Sequence, residues 1–391
     1  MKSEYDVIVI GAGPAGTTAA RFAARGGASV LVLEKDRDIG IPVRCAEGVS
    51  EKGLLESVDR IHPDWIEQVI ARVNLYSPAG QAVSASLENE KGFILNRKRF
   101  DYDLARLAVD AGADVLTRAY VYGLVKPDNA VTGVRMTHLG KHVEIKAKIV
   151  IGADGVESRA GRWAGISTHT SLSDIETCYQ VTAANVHARE DTLHMYFSTH
   201  LAPQGYVWVF PKGEGVANIG LGISGTFAAE KTPREYLVEF MQAFFPEASV
   251  LSAVAGSVPC DQTLDCITAD GFMLAGDAAH QANPMSGGGI ASGMLAGQFA
   301  GRVAAKAVAE QNVSAKRLKE YEKLWHKKEG RNHRLSYKIK NYVYNLTDDE
   351  LETIATSVLK IPENKRTFIS LFKIALFKKP GLILDAIKVF S

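Results

Sequence analysis

The stretch Tyr5-Asp-Val-Ile-Val-Ile-Gly11-Ala-Gly13-Pro-Ala-Gly16 decides the fold of this chain. Its first six residues form an apolar run typical of a strand that is buried on both faces. The glycines follow with the spacing Gly-x-Gly-x-x-Gly, and an alanine-rich helical stretch continues to about Arg25. A second apolar run, Ser29-Val-Leu-Val-Leu33, ends beside Glu34. This order of strand, turn, helix, strand and acid predicts a Rossmann-type α/β fold.

Each position of this unit has a physical role in binding a dinucleotide. Gly11 makes the tight turn, Gly13 lets the backbone approach a pyrophosphate, and Gly16 lets helix and strand pack closely. The helix N-terminus supplies free N–H groups and a positive dipole end, and Glu34 is placed to bind a ribose hydroxyl pair. The residues expected to bind the dinucleotide here are Gly11, Gly13, Ala15, Gly16, Glu34 and Lys35.

Composition describes an ordinary folded protein that is long enough for two intimately connected domains. The chain has 391 residues, of which 46% are hydrophobic and 23% charged. Its four scattered cysteines do not form a disulfide framework, and no His/Cys spacing suggests a metal. No stretch has the apolar length of a membrane-spanning helix, and the early first strand leaves no room for a cleavable signal peptide. We therefore expect a cytoplasmic protein without a bound metal or a nucleic-acid partner.

The net charge of +1 hides a basic C-terminal fifth. Residues 316–391 contain 17 Lys and Arg residues against 9 Asp and Glu. Residues 314–345 predict a long basic helix, and residues 365–390 carry apolar side chains at helical spacing, interrupted by lysines. One interpretation is an interfacial surface drawn to anionic lipid at the inner face of the membrane. The other is a helical subdomain that closes one end of a cavity, and both stay open.

Two further segments extend the dinucleotide framework. The first is Lys148-Ile-Val-Ile-Gly152-Ala-Asp154-Gly155, which continues to Ser158 and Arg162. The second is Gly271-Phe-Met-Leu-Ala-Gly276-Asp277-Ala-Ala-His280, followed by Pro284-Met-Ser-Gly-Gly-Gly289-Ile290. They resemble the second and third fingerprints of flavoproteins related to para-hydroxybenzoate hydroxylase, which implies that the dinucleotide is FAD. A glycine turn needed only for shape would explain one such segment, but three in the family order are poorly explained in that way.

The resemblance also implies individual FAD contacts. The aspartate at the position of Asp277 binds the ribityl chain, and the glycine run lies by the pyrophosphate and isoalloxazine. Exposed amides at a helix start would stabilise negative charge there. We expect Asp154 to organise backbone and pyrophosphate, and His280 to be structural although it titrates near neutrality. By resemblance alone, Arg97 contacts FAD at a helix start and Val121 makes a backbone contact to adenine. The contacts implied in the two later fingerprints are Asp154, Gly155, Asp277, Gly288, Gly289 and Ile290.

Two other motifs point to the substrate. The loop Pro42-Val-Arg44-Cys45-Ala46-Glu47-Gly48 follows the second strand, and Tyr206-x-Trp208-x-Phe210-Pro211-x8-Gly220-x-Gly222 comes later. Side chains alternate along a strand, so the three aromatics share one face and form a flat apolar wall. The alternative is that the three aromatics belong to the ordinary hydrophobic core between this sheet and another layer. Lys212-Gly-Glu-Gly215 predicts the hairpin turn to a strand over 217–223.

This pair of motifs resembles the geranylgeranyl reductase family, in particular its archaeal digeranylgeranylglycerophospholipid reductases, from Tyr5 to about Trp325. The resemblance implies hydrogenation of isolated double bonds in an isoprenoid membrane lipid by reduced FAD. One Rossmann unit is used for FAD and no second nicotinamide site is visible. NAD(P)H and a ferredoxin therefore both remain open as the electron donor.

An unactivated alkene accepts hydride poorly, so a proton must reach one carbon as hydride reaches the other. Aromatic faces would ease the positive charge by about 0.5–2 kcal/mol. Cys45 lies close to flavin and substrate in this family, where a thiol could shape the pocket, deliver a proton, form a regulatory disulfide or be a small buried residue. The expected catalytic residues are Cys45, Tyr206 and Trp208. The expected substrate-binding residues are Tyr206, Trp208, Phe210, Pro211, Gly220 and Gly222. The loop adds Arg44, Cys45, Ala46 and Gly48 to the expected cofactor contacts.

The domains are expected to interleave. Residues 1–72, 92–167 and 260–310 would form the FAD-binding domain, residues 73–91 and 168–259 a mainly antiparallel substrate sheet, and residues 311–391 a helical C-terminal region. Two other functions compete with the reductase. A flavin monooxygenase or halogenase shares the fold, but the halogenase strand Trp-x-Trp-x-Ile-Pro differs here and its catalytic lysine has no recognisable counterpart. A non-catalytic, flavin-loaded prenyl-lipid binding protein is the third possibility.

Overall fold

The computed structural model describes residues 2–87, 91–363 and 366. In chain order its strands are β1 (Glu4–Ile10), β2 (Val30–Leu33), β3 (Gly48–Ser50), β4 (Ile66–Ile70), β5 (Arg72–Tyr76), β6 (Ala82–Ser86), β7 (Gly92–Leu95), β8 (Ala113–Leu116), β9 (Ala119–Val125), β10 (Gly133–His138), β11 (Lys141–Gly152), β12 (Ile175–Ala184), β13 (Thr192–Tyr196), β14 (Tyr206–Gly213), β15 (Val216–Ser224), β16 (Ser249–Pro259), β17 (Thr268–Ala269) and β18 (Phe272–Leu274). Its α-helices are α1 (Pro14–Arg25), α2 (Glu51–Leu55), α3 (Arg97–Asp110), α4 (Ala160–Ala164), α5 (Pro233–Phe244), α6 (Ile290–Ala309), α7 (Ala315–Trp325), α8 (Arg331–Val343) and α9 (Asp348–Leu359).

The first sheet is the predicted Rossmann-type sheet. Its strand order is β17-β18-β11-β1-β2-β8, and β18, β11, β1, β2 and β8 run parallel. The β9–β10 hairpin attaches to β11. Val7, Ile8 and Val9 are fully buried, as an apolar central strand requires. The α/β fold class is confirmed.

Helices α1 and α6 pack closely beside this sheet. A Cβ on Gly297 would stand 2.2 Å from the carbonyl oxygen of Ala15, and one on Gly301 would stand 2.2 Å from that of Ala19. Only glycines at these α6 positions let the backbones of the two helices come this close together. The sequence analysis missed this four-residue glycine period, which brings the N-termini of α1 and α6 to the same end of the sheet.

The second sheet is mainly antiparallel, with the order β16-β12-β15-β14-β13-β5-β6. Only the β13–β5 pair is parallel among its described strands. Helix α5 covers one face, where Leu237 and Phe240 pack with Val207, Val209 and Leu221. The interleaved domain division stays a prediction, and the strand membership of the two sheets supports it.

The other face of β14 meets a small third sheet with the order β3-β7-β4. Ile70 and Ile94 of this sheet pack with Trp208 and Phe210. Trp208 and Phe210 are each 8% exposed. The predicted hairpin between β14 and β15 is confirmed. Its turn residues are Glu214 and Gly215, whose φ values of 55° and 71° match the primed turns that suit twisted hairpins.

The predicted helix over 314–345 is interrupted by a π-helical turn, His326–Gly330, between α7 and α8. The buried positions explain the interruption, because their spacing widens to five residues once. In order they are Leu318, Tyr321, Trp325, Gly330, His333, Leu335, Ser336, Ile339 and Lys340. A π turn takes in one extra residue, so both halves keep the same side toward the protein. The described part of the basic helix therefore packs its apolar side inward.

The apolar and basic pattern predicted over 365–390 lies outside the described residues, except for residue 366. No helix in the described part of the chain is both long and apolar enough to cross a membrane.

Candidate active site

The glycine turn between β1 and α1 is closed on one side and open on the other. A Cβ on Gly11 would stand 2.3 Å from the carbonyl oxygen of Ala153, so only glycine fits beside the end of β11. Apart from Gly13 and its neighbours in the chain, no atom of the described residues lies within 4 Å of the place that a Cβ on Gly13 would take. Gly13 caps α1 without a side-chain hydrogen bond, which leaves first-turn N–H groups available. A phosphate group fits this opening.

Two acidic side chains hold the backbone around the turn. Glu34 accepts hydrogen bonds from the backbone N–H groups of Ala12 at 2.8 Å and Asp36 at 2.9 Å. Its carboxylate therefore lies beside the glycine turn, at the end of β2. Asp154 accepts a hydrogen bond from the Ser158 hydroxyl at 2.8 Å and two more from the backbone N–H groups that open α4. The Asp154 carboxylate thus organises backbone.

The third fingerprint brings a carboxyl group to the start of α6. Oδ1 of Asp277 lies 3.0 Å from the place that a Cβ on Gly289 would take, and Gly289 caps α6 without a side-chain hydrogen bond. Burial raises the pKa of Asp277 to about 6, and the Arg97 guanidinium opposes the rise. Arg97 begins α3, as predicted, and donates two hydrogen bonds of 2.7 Å to Asp101. A guanidinium and a carboxyl group from different elements therefore lie near the same helix start.

These features fit FAD. The N-termini of α1 and α6 both lack side-chain caps, and the close packing of the two helices brings them together. The open side of Gly13 suits a pyrophosphate, and Asp277 is the polar group available to a sugar-like chain beside α6. Among the described residues, no group of three acidic, His or Cys side chains is arranged to hold a metal ion.

The aromatic strand β14 divides its side chains between the two faces of the second sheet. Tyr206, Trp208 and Phe210 share one face, whereas Val207 and Val209 pack under α5. Ring centroids along the aromatic face are 5.8 Å and 6.5 Å apart. The alternation predicted from the strand is therefore present, and the neighbouring three-stranded sheet covers the Phe210 end.

Gly220 and Gly222 leave room for side chains on this face. A Cβ on Gly220 would stand 2.5 Å from Cζ2 of Trp208. A Cβ on Gly222 would stand 3.1 Å from Sγ of Cys178 and 3.0 Å from Oε2 of Glu176. The Gly-x-Gly spacing thus has a steric reason, because alternate positions on β15 lie on the same face of the sheet as the aromatic side chains of β14.

Gln180 links the aromatic wall to the cysteine loop. The indole N–H of Trp208 donates to Oε1 of Gln180 at 2.9 Å, and Nε2 of Gln180 donates to the carbonyl oxygen of Cys45 at 2.9 Å. Sγ of Cys45 accepts a hydrogen bond from the backbone N–H of Glu47 at 3.2 Å. Burial raises the pKa of the Cys45 thiol, so it stays protonated at neutral pH. All four cysteines, each within the described residues, are free.

The sequence analysis missed a buried polar network beneath this loop. Glu47 is 5% exposed and has a φ of 72°. Its carboxylate forms a salt bridge with Nζ of Lys212 and accepts from Nδ2 of Asn218 at 2.6 Å and from the backbone N–H of Arg97 at 3.2 Å. The only sequence signal was that Lys212 and Asn218 lie within or beside the aromatic motif. The network fastens the loop to the second sheet and to α3.

The remaining predicted site residues lie in varied surroundings. Val121 is buried in the core of the first sheet, and Arg44 is exposed. Lys35 pairs with Glu157 at 3.8 Å on the surface. Pro211 follows the alternation of Val207 and Val209 on β14, away from the aromatic face.

His280 is held by Thr170 and lies next to a second buried histidine. Its Nε2 is 3.0 Å from the Thr170 hydroxyl, while Nδ1 is buried and has no hydrogen-bond partner among the described residues. Burial lowers the pKa of His280 to about 4, so the ring is neutral near pH 7. His333 of α8 is also buried, and its pKa is lowered to about 4 for the same reason.

Comparison with known proteins identifies the family. The family model described as geranylgeranyl reductase catalytic domain matches residues 174–258, which contain the aromatic wall. The model described as pyridine nucleotide-disulphide oxidoreductase matches residues 5–193. A digeranylgeranylglycerophospholipid reductase of Methanococcoides burtonii is 44% identical over 97% of this chain and 93% of its own. The chain belongs to the digeranylgeranylglycerophospholipid reductase family. The predicted family is thereby confirmed, and this reductase is an FAD-dependent oxidoreductase.

Solved structures agree on the fold of this reductase. The crystal structure of a geranylgeranyl bacteriochlorophyll reductase-like protein from Thermoplasma acidophilum superposes with a TM-score of 0.93, at 34% identity over 99% of both chains. A flavin-dependent brominase superposes with a TM-score of 0.75, at 18% identity over 99% of both chains. That second likeness shows the fold alone.

Proposed function

We propose that this protein hydrogenates isolated double bonds of geranylgeranyl chains in membrane ether-lipid precursors. The family relationship supports this reaction class, and the placement of the aromatic wall supports the site. The halogenase and monooxygenase alternatives rest on a shared fold, at 18% identity to a brominase and 15% identity to a probable FAD-dependent monooxygenase.

One contact carries the proposal. The Tyr206 hydroxyl donates a hydrogen bond of 2.7 Å to the carbonyl oxygen of Ser286. Ser286 lies in the glycine loop that leads into α6, next to the proposed flavin contacts Gly288 and Gly289. The aromatic face of the second sheet therefore abuts the loop that the FAD framework supplies. A chain lying on this face would lie next to the redox centre.

The residues that would hold FAD come from three fingerprints, the cysteine loop and two separate contacts. They are Gly11, Gly13, Ala15, Gly16, Glu34, Lys35, Arg44, Cys45, Ala46, Gly48, Arg97, Val121, Asp154, Gly155, Asp277, Gly288, Gly289 and Ile290. Reduced FAD, when bound, supplies a hydride. The chain itself must align the alkene, exclude water and provide the proton.

Tyr206 and Trp208 suit the alignment and the charge stabilisation. The hydrogen bond to Gln180 and the space left by Gly220 fix the plane of the Trp208 ring. An indole face can stabilise positive charge that builds on the more substituted alkene carbon, by about 0.5–2 kcal/mol. Phe210 and Gly222 extend the same surface, whereas Pro211 lies on the opposite face of β14 and is not part of it.

Mass spectrometry of the lipid product tests the proposal. The protein, reduced with dithionite under anaerobic conditions, is incubated with an unsaturated geranylgeranyl ether lipid. The expected product gains mass in steps of one hydrogen molecule per double bond. An unchanged lipid that stays bound would favour the prenyl-lipid binding protein, and an oxygenated product in air would favour the monooxygenase. Dithionite replaces NAD(P)H or ferredoxin, so the physiological donor does not affect the outcome.

The proposed substrate brings the protein to a membrane surface. Because the described basic helix packs its apolar side inward, we propose that peripheral contact uses the segment 365–390. Flotation of the intact and tail-deleted proteins with anionic vesicles tests this part, and equal flotation would contradict it.

A further inference from the structure

The reaction needs a proton donor, and two expected donors are poorly suited. The Tyr206 hydroxyl already donates to Ser286, and burial together with nearby acidic groups raises its pKa. Burial likewise raises the pKa of Cys45, which holds its proton more tightly than a free thiol. A group that keeps a proton near neutrality and releases it readily must lie elsewhere on the aromatic face.

Glu176 lies on that face. Strand β12 alternates so that Glu176, Cys178 and Gln180 point to the aromatic side, while Val181 packs under α5. The strand register places Cys178, Gly222 and Tyr206 in one row across three strands. Glu176 pairs with Ser224, two residues along β15 from Gly222. Because Gly222 has no side chain, Oε2 of Glu176 occupies the space beside it, in the direction of Tyr206.

The two carboxyl oxygens of Glu176 have different surroundings. Oε1 accepts a hydrogen bond from the hydroxyl of Tyr344, the residue that caps the C-terminus of α8. Oε2 is buried and has no hydrogen-bond partner among the described residues, although the residue is only 7% exposed. Oε2 lies against Gly205 and Gly222, where a Cβ would stand 3.2 Å and 3.0 Å away. A buried polar atom without a partner is costly, which marks this oxygen as one that serves a ligand.

We propose that Glu176 is the proton donor to the alkene and delivers its proton from Oε2. This inference rests on the proposed hydrogenation. The O–H bond of the carboxyl group breaks, a C–H bond forms at one alkene carbon, and the carboxylate remains. The electron pair arrives with the hydride at the other carbon, so one flavin is oxidised for each double bond reduced. Water then returns a proton to the carboxylate.

The surroundings of Glu176 favour a protonated carboxyl group at neutral pH. Burial raises its pKa to about 7, while the Tyr344 hydrogen bond and the Lys340 charge oppose the rise. Lys340 is itself neutralised in part, because its Nζ lies 2.6 Å from Oδ1 of Asp174. Groups from each packed element face this region, namely Cys178 of β12, Tyr206 of β14, Cys260 after β16, Lys340 of α8 and Tyr344 at its C-cap.

Glu176→Gln tests the donor directly, since glutamine keeps the shape and the Tyr344 contact. Anaerobic single-turnover hydrogenation by the dithionite-reduced protein should fall by about 10²–10⁴-fold, the usual contribution of general acid catalysis. The wild-type rate should decline as pH rises through about 7, and the residual rate of the variant should not. The matched control is Glu329→Gln, because burial also raises the pKa of Glu329 but this residue lies in the π turn.

Infrared spectroscopy tests the proton without turnover. The wild-type protein should show a carboxylic-acid band that titrates near pH 7 and is absent from Glu176→Gln. Tyr344→Phe should move that midpoint upward, because the lost hydrogen bond stabilised the carboxylate. A Glu176→Gln rate within tenfold of wild type, no such band, or an unmoved midpoint would overturn the assignment. If the wild type forms no saturated lipid, the proposed function fails. The infrared titration still tests whether Glu176 carries a proton near pH 7.

Discussion

At the residue scale, the Trp208 ring occupies the space that a side chain on Gly220 would need. Gly220→Ala would place a methyl group 2.5 Å from the indole ring, so the ring must move. We expect the free energy of unfolding to fall by about 1–3 kcal/mol, the range for overpacked sites. Urea denaturation measures this change. Gly123→Ala is the matched control, since this strand glycine has no atom within 4 Å of its Cβ position and should change stability little.

Cys45 gives a second prediction at this scale. Burial raises the pKa of its thiol, which therefore holds its proton more tightly than a free thiol, and the sulfur accepts a backbone hydrogen bond. Cys45 therefore resembles a packed side chain more than a proton donor. Cys45→Ser should therefore lower the hydrogenation rate by less than about 10²-fold, below the usual loss of a general acid. Single-turnover product formation is the measurement. A loss of hydrogenation rate as large as that of Glu176→Gln would show that the thiol has a catalytic role.

The positions of some of these residues could be predicted from the sequence, and those of others could not. Strand alternation is local, so one motif sufficed to place Tyr206, Trp208 and Phe210 on one face. The bond between Glu176 and Tyr344 joins residues 168 apart in sequence, and that between Glu47 and Lys212 joins residues 165 apart. Neither pairing has a periodic signature, because only the assembled fold creates it.

At the element scale, the salt bridge between Glu47 and Lys212 fastens the cysteine loop to β14. Lys212→Ala would leave the Glu47 carboxylate buried without its cation. We expect a loss of about 3–5 kcal/mol in the free energy of unfolding, measured by urea denaturation. The control is Lys306→Ala, whose partner Glu320 lies 3.4 Å away at the surface, with an expected loss below about 1 kcal/mol. Equal losses would show that the loop is fastened elsewhere.

Two of the buried histidines, His280 and His333, have strongly lowered pKa values and predict how stability depends on pH. His280 and His333 have pKa values of about 4 in the folded protein, against 6.5 in the unfolded chain. The unfolded state therefore binds protons first, and stability is lost as pH falls from about 6.5 toward 4. His280→Asn, which suits the left-handed backbone at this position, should lose less stability over that range. Identical pH profiles of the unfolding free energy would contradict this origin.

The element boundaries show where local patterns stop being informative. The Rossmann strands and the β14–β15 hairpin follow from apolar runs and turn residues. The π turn at 326–330 does not, because it depends on which side of α7 and α8 the first sheet and the glycine loop cover. The α1–α6 contact could have been read from the glycine period of α6, since that period is local.

At the scale of the whole molecule, two sheets meet at one site. The first sheet and its uncapped helices provide a dinucleotide cradle, and the second provides an aromatic face. The Tyr206–Ser286 hydrogen bond joins them. Fold class and family could be predicted because both halves carry dense motifs. The reaction followed from their combination, which the brominase likeness alone would have left undecided.

Anaerobic flavin reoxidation tests the central claim most directly. The protein is reduced to completion without oxygen, and flavin absorbance is followed after a geranylgeranyl ether lipid is added. The account predicts that oxidised flavin returns, with one flavin oxidised for each double bond saturated, and that the fully saturated lipid has no effect. Flavin that stays reduced with the unsaturated lipid and is oxidised only when oxygen enters would contradict the account.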